Sequence, residues 1–390
     1  MSGAGHLKAT WSFPTQILFG PGRIKNLPQA CESQGMRRPL LVTDPGLAAL
    51  PIVEAALQSL RAAGLEAGLF SNIKGNPTGT NLADGIEAFR SGRHDGVIAF
   101  GGGSALDAGK VIAFMSGQSL PWTDFEDRTD EWKRADPAGI APIVAVPTTA
   151  GTGSETGRAG VITDESDHTK KIIFHPKMLP GVVISDPELT VGLPAHITAA
   201  TGMDALAHCL EAYCAPGYHP MAEGIAVEGM RLVKDYLPRA FADGSDVEAR
   251  AHMLAAASMG SVAFQKGLGG IHALSHPVGA VYDTHHGLTN AVFMPYVLTF
   301  NRPAIEDKLG RLAAWLGLRE QNYAGFLDWV LSFRQELQIP HTLAELGVDD
   351  ARLDELSVMA EKDPTAGGNP RPLTAADCRQ LFEVALAGKL

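Results

Sequence analysis

The chain has 390 residues, enough for two domains with substantial cores, and its 45% hydrophobic and 19% charged content is that of an ordinary soluble globular protein. A net charge of −11 argues against a general nucleic-acid or anionic-membrane surface, since both need a basic face, but it leaves room for one anionic small-molecule site built from local Arg or Lys. The best apolar run, 253–264, is too short to span a membrane and carries Ser258, Gly260 and Ser261. The opening Met-Ser-Gly-Ala-Gly-His lacks the basic and apolar regions of a secretory signal. Cys31, Cys209, Cys214 and Cys378 form no CxxC pair and read as free thiols of a reducing cytoplasm.

In chain order, the first half alternates strands and helices. Pro39-Leu-Leu-Val-Thr43 reads as a short buried strand ending at Asp44, and 52–63 as a helix with Val53, Ala56, Leu57 and Leu60 on one face. A strand over 65–70, a helix over 82–91 and a strand over 96–100 follow. Gly101-Gly-Gly103 breaks that strand, and Ser104 is expected to N-cap a helix running to Met115. Strands over 143–146 and 182–184 complete the set. The alternation predicts a parallel sheet with helices on both faces. Beyond about residue 190, Ala-, Leu- and Met-rich segments predict helices over 195–214, 220–241, 246–265, 270–282, 304–316 and 322–337. The expected division is a Rossmann-like α/β nucleotide-binding domain over 1–186 and a mostly α-helical metal-binding domain over 187–390, with the active site expected in a cleft between them.

Two polar turns in the first half are nucleotide signals. Gly101-Gly-Gly-Ser104 lies at a strand-to-helix junction, where glycines admit a phosphate and the helix N-terminus offers free N–H groups. It is neither GxGxxG nor a P-loop, so plain turn chemistry remains the alternative. Pro147-Thr-Thr-Ala-Gly-Thr-Gly-Ser-Glu155 either lines the same nucleotide or forms a solvated loop. Asp44 is either a ligand for a ribose 2′-hydroxyl, favouring NAD over NADP, or a turn residue ahead of Pro45.

The second half carries Asp204-Ala-Leu-Ala-His208 and His272-Ala-Leu-Ser-His276, followed by His286-Gly287. Residues four apart share a helical face, so each pair points at one spot. Imidazoles with a carboxylate suit Fe(II) or Zn(II) rather than Mg or Ca. Spacing alone does not say which of the clustered histidines are ligands.

With these motifs, together with Asn76-Pro-Thr78 and the extension of the glycine turn to Asp107, the chain closely resembles the iron-containing (group III) alcohol dehydrogenases over nearly its whole length. The resemblance implies that Asp204, His208, His272 and His286 bind one divalent metal, Fe(II) with Zn(II) as the other option. It makes His276 a further active-site histidine near the nicotinamide, and assigns His285 no role. It also implies that Gly101, Gly102, Gly103 and Ser104 hold the pyrophosphate of NAD, that Asn76, Thr148, Thr149 and Thr152 contribute to the cofactor groove, and that Asp107 and Leu179 contact the nicotinamide half. At least a homodimer is implied. Within the family, Gly153-Ser-Glu-x-x-Arg158, 264–269 and the double histidine His285-His286 resemble the 4-hydroxybutyrate dehydrogenase subgroup. Arg158 then either clamps a substrate carboxylate or pairs with Glu155 or another acid. Lys266 either attracts an anion or is a surface lysine, the reading preferred.

The activity so implied is metal-dependent, reversible hydride transfer between NAD(H) and a small alcohol/aldehyde pair, such as an ω-hydroxy acid and its semialdehyde, in the cytoplasm. A general short-chain alcohol dehydrogenase is the alternative. A dehydroquinate synthase-like enzyme would need more Lys and Arg near the metal motifs, a maleylacetate reductase typically lacks the full ligand pattern, and a non-enzymatic metal-storage protein would not turn over NADH.

Overall fold

The computed structural model describes Phe13 and residues 15–390; the reading of the first six residues lies outside them. The chain divides into two compact units, Pro14–Gly192 and one built on Leu193–Leu390.

The first unit contains β1 (Gln16–Phe19), β2 (Pro39–Val42), β3 (Gly68–Phe70), β4 (Gly96–Gly101), β5 (Ile143–Pro147), β6 (Ala159–Asp164), β7 (Thr169–Phe174) and β8 (Val182–Ser185). Its helices are α1 (Leu27–Ser33), α2 (Pro45–Ala48), α3 (Pro51–Ala62), α4 (Gly79–Ser91) and α5 (Gly103–Met115). The main sheet is parallel throughout, in the order β1-β8-β5-β4-β2-β3. The two-residue period of a strand sorts its side chains. Leu40, Val42, Val97, Ala99, Ile143 and Ala145 join the core that includes Leu82, Leu106 and Val111 of α4 and α5. Leu41, Ile98, Phe100, Val144 and Val146 join the opposite core with Leu27, Val53 and Leu57 of α1 and α3. Both faces are covered, so β4 and β5 are buried at every position and read as continuous apolar runs.

From β2 the sheet grows outward to β3, and β4 then returns to the other side of β2. The winding therefore reverses between β2 and β4. In open parallel sheets, ligands bind outside the carboxyl ends of the strands at such a reversal. Asp44 follows β2 and the glycine turn ends β4, so both lie there.

The antiparallel β6–β7 hairpin is absent from the sequence expectations. Its polar strand residues mask it: Lys171 is buried between Asp164 at 2.9 Å and Asp167 at 2.8 Å, so the charges are internal partners.

The second unit is helical: α6 (Ala195–Cys214), α7 (Pro220–Ala242), α8 (Val247–Ala263), α9 (Gly270–Tyr282), α10 (His286–Trp315), α11 (Tyr323–Glu336), α12 (Leu353–Lys362) and α13 (Ala375–Ala387). α10 starts eighteen residues before the expected 304 because it runs through Pro295 and Pro303. Proline in a helix interior usually breaks it; Pro295 lies in the stretch Thr289–Leu298, which is buried throughout and whose packing maintains the helix, whereas Pro303 is exposed. α12 and α13 were not expected; α13 opens on a reciprocal capping box between Thr374 and Asp377.

All four cysteines are free and buried, and burial pushes each thiol up to about 12. Among the described residues, no helix is long and apolar enough to cross a membrane.

Candidate metal centre and nucleotide turn

At the carboxyl edge of the sheet, the two polar turns pack against each other. Gly101 of β4 pairs with Pro147 of β5, and the Thr148 N–H donates to the Gly101 carbonyl at 2.9 Å. A Cβ at Gly103 would lie 2.4 Å from Thr152 Cγ2, so a larger residue would drive the 148–152 turn away. Helix α5 starts at Gly103 and its N-cap is Gly102, which corrects the expectation that Ser104 caps it. Ser104 lies inside the first turn, and its hydroxyl instead donates to the Gly75 carbonyl. The N-cap residue makes no side-chain capping bond, which suits the turn to accept an anion.

The other expected cofactor residues divide. Asp44 N-caps α2 through Oδ1, which accepts from Leu47 N–H at 2.9 Å. Asn76 accepts from Lys170 Nζ of the hairpin at 3.0 Å. Asp107 accepts from Ser154 Oγ at 2.5 Å and Val161 N–H at 3.0 Å, with Lys110 Nζ at 3.3 Å. Lys110 is fully buried and donates to the Ser154 and Ala159 carbonyls. Burial lowers its pKa more than Asp107 raises it. The Asp107 carboxylate thus ties α5 to the start of β6. Leu179 is not brought to the glycine turn. It precedes β8, and the Gly181 N–H reaches the Ile143 carbonyl at the amino end of β5. In a parallel sheet that is the end opposite Gly101–Ser104, a separation the position of Leu179 in the chain does not reveal.

Arg158 precedes β6, and its guanidinium lies over the Phe174 ring, 5.2 Å from the centroid. Among the described residues it has no carboxylate partner. Lys266 is neither an anion attractor nor a surface lysine. Its ammonium is buried, donating to the carbonyls of Ala212, Tyr213 and Ala215 at the end of α6 and pairing with Glu223 at 2.8 Å. A cation there complements the negative end of the helix dipole.

The second unit gathers the metal-type residues. α6 places Asp204 and His208 on one face, α9 carries His272 and His276, and α10 begins with His286. One ligand-type atom from each of Asp204, His208, His272 and His286 lies within 4.8 Å of the others. The His208 and His272 rings stack at 4.7 Å, and His272 and His286 lie 5.3 Å apart. Asp204 is 2% exposed and His272 1%. Among the described residues, the ion-pair neighbours of Asp204 are His208 at 3.9 Å and His286 at 3.7 Å, not Lys or Arg. A buried carboxylate beside convergent imidazoles, with no Lys or Arg paired to it among the described residues, fits a borderline divalent cation.

Three supporting residues escape the sequence reading. Glu211, one turn beyond His208 on α6, accepts from the Ile271 N–H at 2.6 Å and meets His272 Nδ1 at 2.6 Å. This holds the proton on Nδ1 and leaves Nε2 as the donor atom. Burial opposes the charged form of His272, but the Glu211 charge and hydrogen bond, with Asp204 and Asp363, outweigh it and raise the pKa. Asp363 lies 2.8 Å from His276 Nδ1; burial raises its pKa, but the His276 charge and the bonds from His276 and Thr365 leave it lowered. Asn290, four residues after His286, reaches Asp204 Oδ1 at 2.8 Å. Signals exist for two: Asp204, His208 and Glu211 follow i, i+4, i+7, and His286 and Asn290 follow i, i+4. The segment containing Asp363 also bonds to α9, because Asn369 Oδ1 accepts from the Gly270 N–H at 3.0 Å. His285 has a structural task, accepting from Leu288 N–H at 3.3 Å as the N-cap of α10.

Gly287 shows why a glycine follows the last histidine. A Cβ there would lie 2.4 Å from the Ala200 carbonyl oxygen and 2.9 Å from Asp204 Cβ. Gly287→Ala is therefore expected to separate α10 from α6, destabilising the fold by roughly 1–3 kcal/mol. It should also weaken metal retention; unchanged melting and metal content would show that the helices have room.

Comparison with known proteins agrees with this architecture. The family profile "Iron-containing alcohol dehydrogenase" matches residues 14–187, and "Fe-containing alcohol dehydrogenase family, C-terminal" matches 198–386. The 4-hydroxybutyrate dehydrogenase of Cupriavidus necator is 38% identical over 382 residues, covering 95% of this chain and 98% of that protein. The NAD-dependent methanol dehydrogenase of Bacillus methanolicus is 35% identical, covering 96% and 98%. A crystal structure of 1,3-propanediol oxidoreductase superposes with a TM-score of 0.90 at 34% identity, covering 97% of this chain and all of that one. The chain belongs to the iron-containing alcohol dehydrogenase family. It is thus an oxidoreductase, of a family that is NAD-dependent and iron-binding.

Proposed function

We propose that the protein interconverts an ω-hydroxy acid and its semialdehyde, 4-hydroxybutyrate and succinic semialdehyde being the pair to test first, with NAD(H) as the hydride carrier. The observation that carries the alcohol chemistry is the buried convergence of Asp204, His208, His272 and His286. Support for a carboxylate-bearing substrate comes from Arg158, a guanidinium stacked on Phe174 without an acidic partner among the described residues, and from the 38% identical relative. The glycine turn and Thr148, Thr149 and Thr152 are assigned to the dinucleotide, and the four-residue cluster to the metal.

A divalent cation in the cluster supplies Lewis acidity toward the alcohol or aldehyde oxygen. In the oxidising direction, the carbinol carbon gives one hydrogen with its electron pair to NAD+, and the hydroxyl loses a proton, so the products are aldehyde, NADH and H+. His276 is assigned to carry that proton. Asp363 engages its Nδ1, leaving Nε2 as the basic nitrogen. Asp204 contributes the negative charge that moderates the cation.

The test is anaerobic NADH oxidation with succinic semialdehyde and with butyraldehyde, on protein reconstituted with Fe(II) or with Zn(II). Preference for the semialdehyde supports the hydroxy-acid reading; preference for butyraldehyde leaves a general short-chain alcohol dehydrogenase. Arg158→Ala is expected to lower kcat/KM for the semialdehyde by about 10- to 100-fold, the loss of one charge-assisted pair. Butyraldehyde turnover should change little. Equal losses on both substrates would return Arg158 to a structural role.

A further inference from the structure

Asn290 occupies an unusual position for a neutral side chain. It is fully buried in α10, one turn after His286. Its Nδ2 lies 2.8 Å from Asp204 Oδ1, 3.2 Å from His272 Nε2 and 3.1 Å from His286 Nε2. The carboxylate oxygen cannot donate, so the NH2 end of the amide must face the cluster. That orientation leaves Oδ1 buried and without a hydrogen-bond partner among the described residues. An orphaned buried carbonyl is costly, so the amide is held in place by what its nitrogen does.

Its nitrogen faces three acceptors and has two hydrogens. Asp204 is the strongest of them, being charged. We infer that Asn290 is a positioning residue of the metal site, and this inference rests on the metal reading above. By donating to Asp204 Oδ1, the amide engages one carboxylate oxygen and leaves Asp204 to bind a cation through the other, as a one-oxygen ligand. It also sets the rotamer of a side chain on α6 from α10, so the two helices present their ligands in register. Without a cation, the same hydrogens satisfy Asp204 and one imidazole, which keeps the buried cluster together until a cation displaces the imidazole contact. Glu211 fixes His272 from behind, whereas Asn290 acts on the face of the ligands turned toward one another.

Asn290→Leu keeps the branched shape and heavy-atom count and removes both donors, and Asn290→Ala removes the side chain. Metal-stripped wild type and both variants are titrated with Co(II) against a chelator while the visible absorption is recorded. Melting of the metal-free proteins identifies any variant that fails to fold. Affinity for Co(II) is expected to fall about 10- to 100-fold in both variants, the usual consequence of removing a partner of a metal ligand. The Co(II) bands are expected to weaken as Asp204 becomes free to bind through both oxygens and the coordination number rises. A residue that only fills space would not move those bands. Affinity within twofold of wild type with unchanged bands, in whichever variant folds, overturns the role of Asn290. Wild-type protein that binds no Co(II) overturns the metal reading itself and this inference with it.

Discussion

Replacing His272 with alanine is expected to yield a folded protein that has lost its metal and, with it, at least about a thousandfold in kcat, since Lewis-acid stabilisation is worth several kcal/mol. His272 is the most constrained of the four proposed ligands. It is 1% exposed, its ring contacts those of His208, His276 and His286, and its Nδ1 is engaged by Glu211. Truncation removes one of four convergent donors and leaves the Glu211 carboxylate, among the described residues, with the Ile271 N–H alone. Burial of an under-paired carboxylate is costly, so a lower melting temperature is expected as well. The fold should survive, because α9 remains anchored by the Gly270 to Asn369 bond and by the buried Ile271, Leu274 and Val278. Metal analysis, melting and NADH-linked activity on one preparation separate the effects. Full activity in a metal-free His272→Ala protein would remove the metal mechanism entirely.

The cluster is legible in the sequence because helical geometry converts spacing into direction. Asp204 and His208, or His272 and His276, are adjacent on a face whatever the rest of the chain does. Glu211 obeys the same arithmetic and is passed over because a glutamate on a helix has solvent as its default surrounding; only the packed structure reveals Ile271 and His272 opposite it. His276 and Asp363 meet across 87 residues, and no local pattern encodes that pairing. The parallel sheet is visible in its buried apolar runs, yet which end of a strand a loop occupies depends on chain direction, which the position of Leu179 in the sequence does not show. Ser104 fails differently. A hydroxyl beside three glycines looks like a cap, but the chain enters the helix two residues earlier and the hydroxyl finds Gly75. In α10, proline reads as a stop because propensity is local, whereas burial of Thr289–Leu298 is a property of the whole unit.

Glu211→Gln is the second large effect expected, and it is the sharper test because it changes almost no volume. The glutamate accepts twice, from the Ile271 N–H and from His272 Nδ1. A glutamine at the same place has one acceptor and one NH2 group. If its oxygen serves Ile271, its NH2 faces His272 and forces the lone pair onto Nδ1, so the proton moves to Nε2, the nitrogen that should face the metal. If the amide turns over, its NH2 opposes the Ile271 N–H and the N-terminal turn of α9 loses a bond. Either arrangement removes the Glu211 charge that helps raise the His272 pKa, leaving burial opposed only by the more distant Asp204 and Asp363. Metal affinity is expected to fall by about 10- to 100-fold, while melting of the metal-free protein changes less than in Glu211→Ala, which leaves both donors unserved. Glu211→Asp retains the charge but shortens the reach, and should lie between wild type and glutamine. Equal metal affinity in wild type and Glu211→Gln would mean that the tautomer of His272 is set by something other than Glu211, and would leave the short contact between them as packing alone.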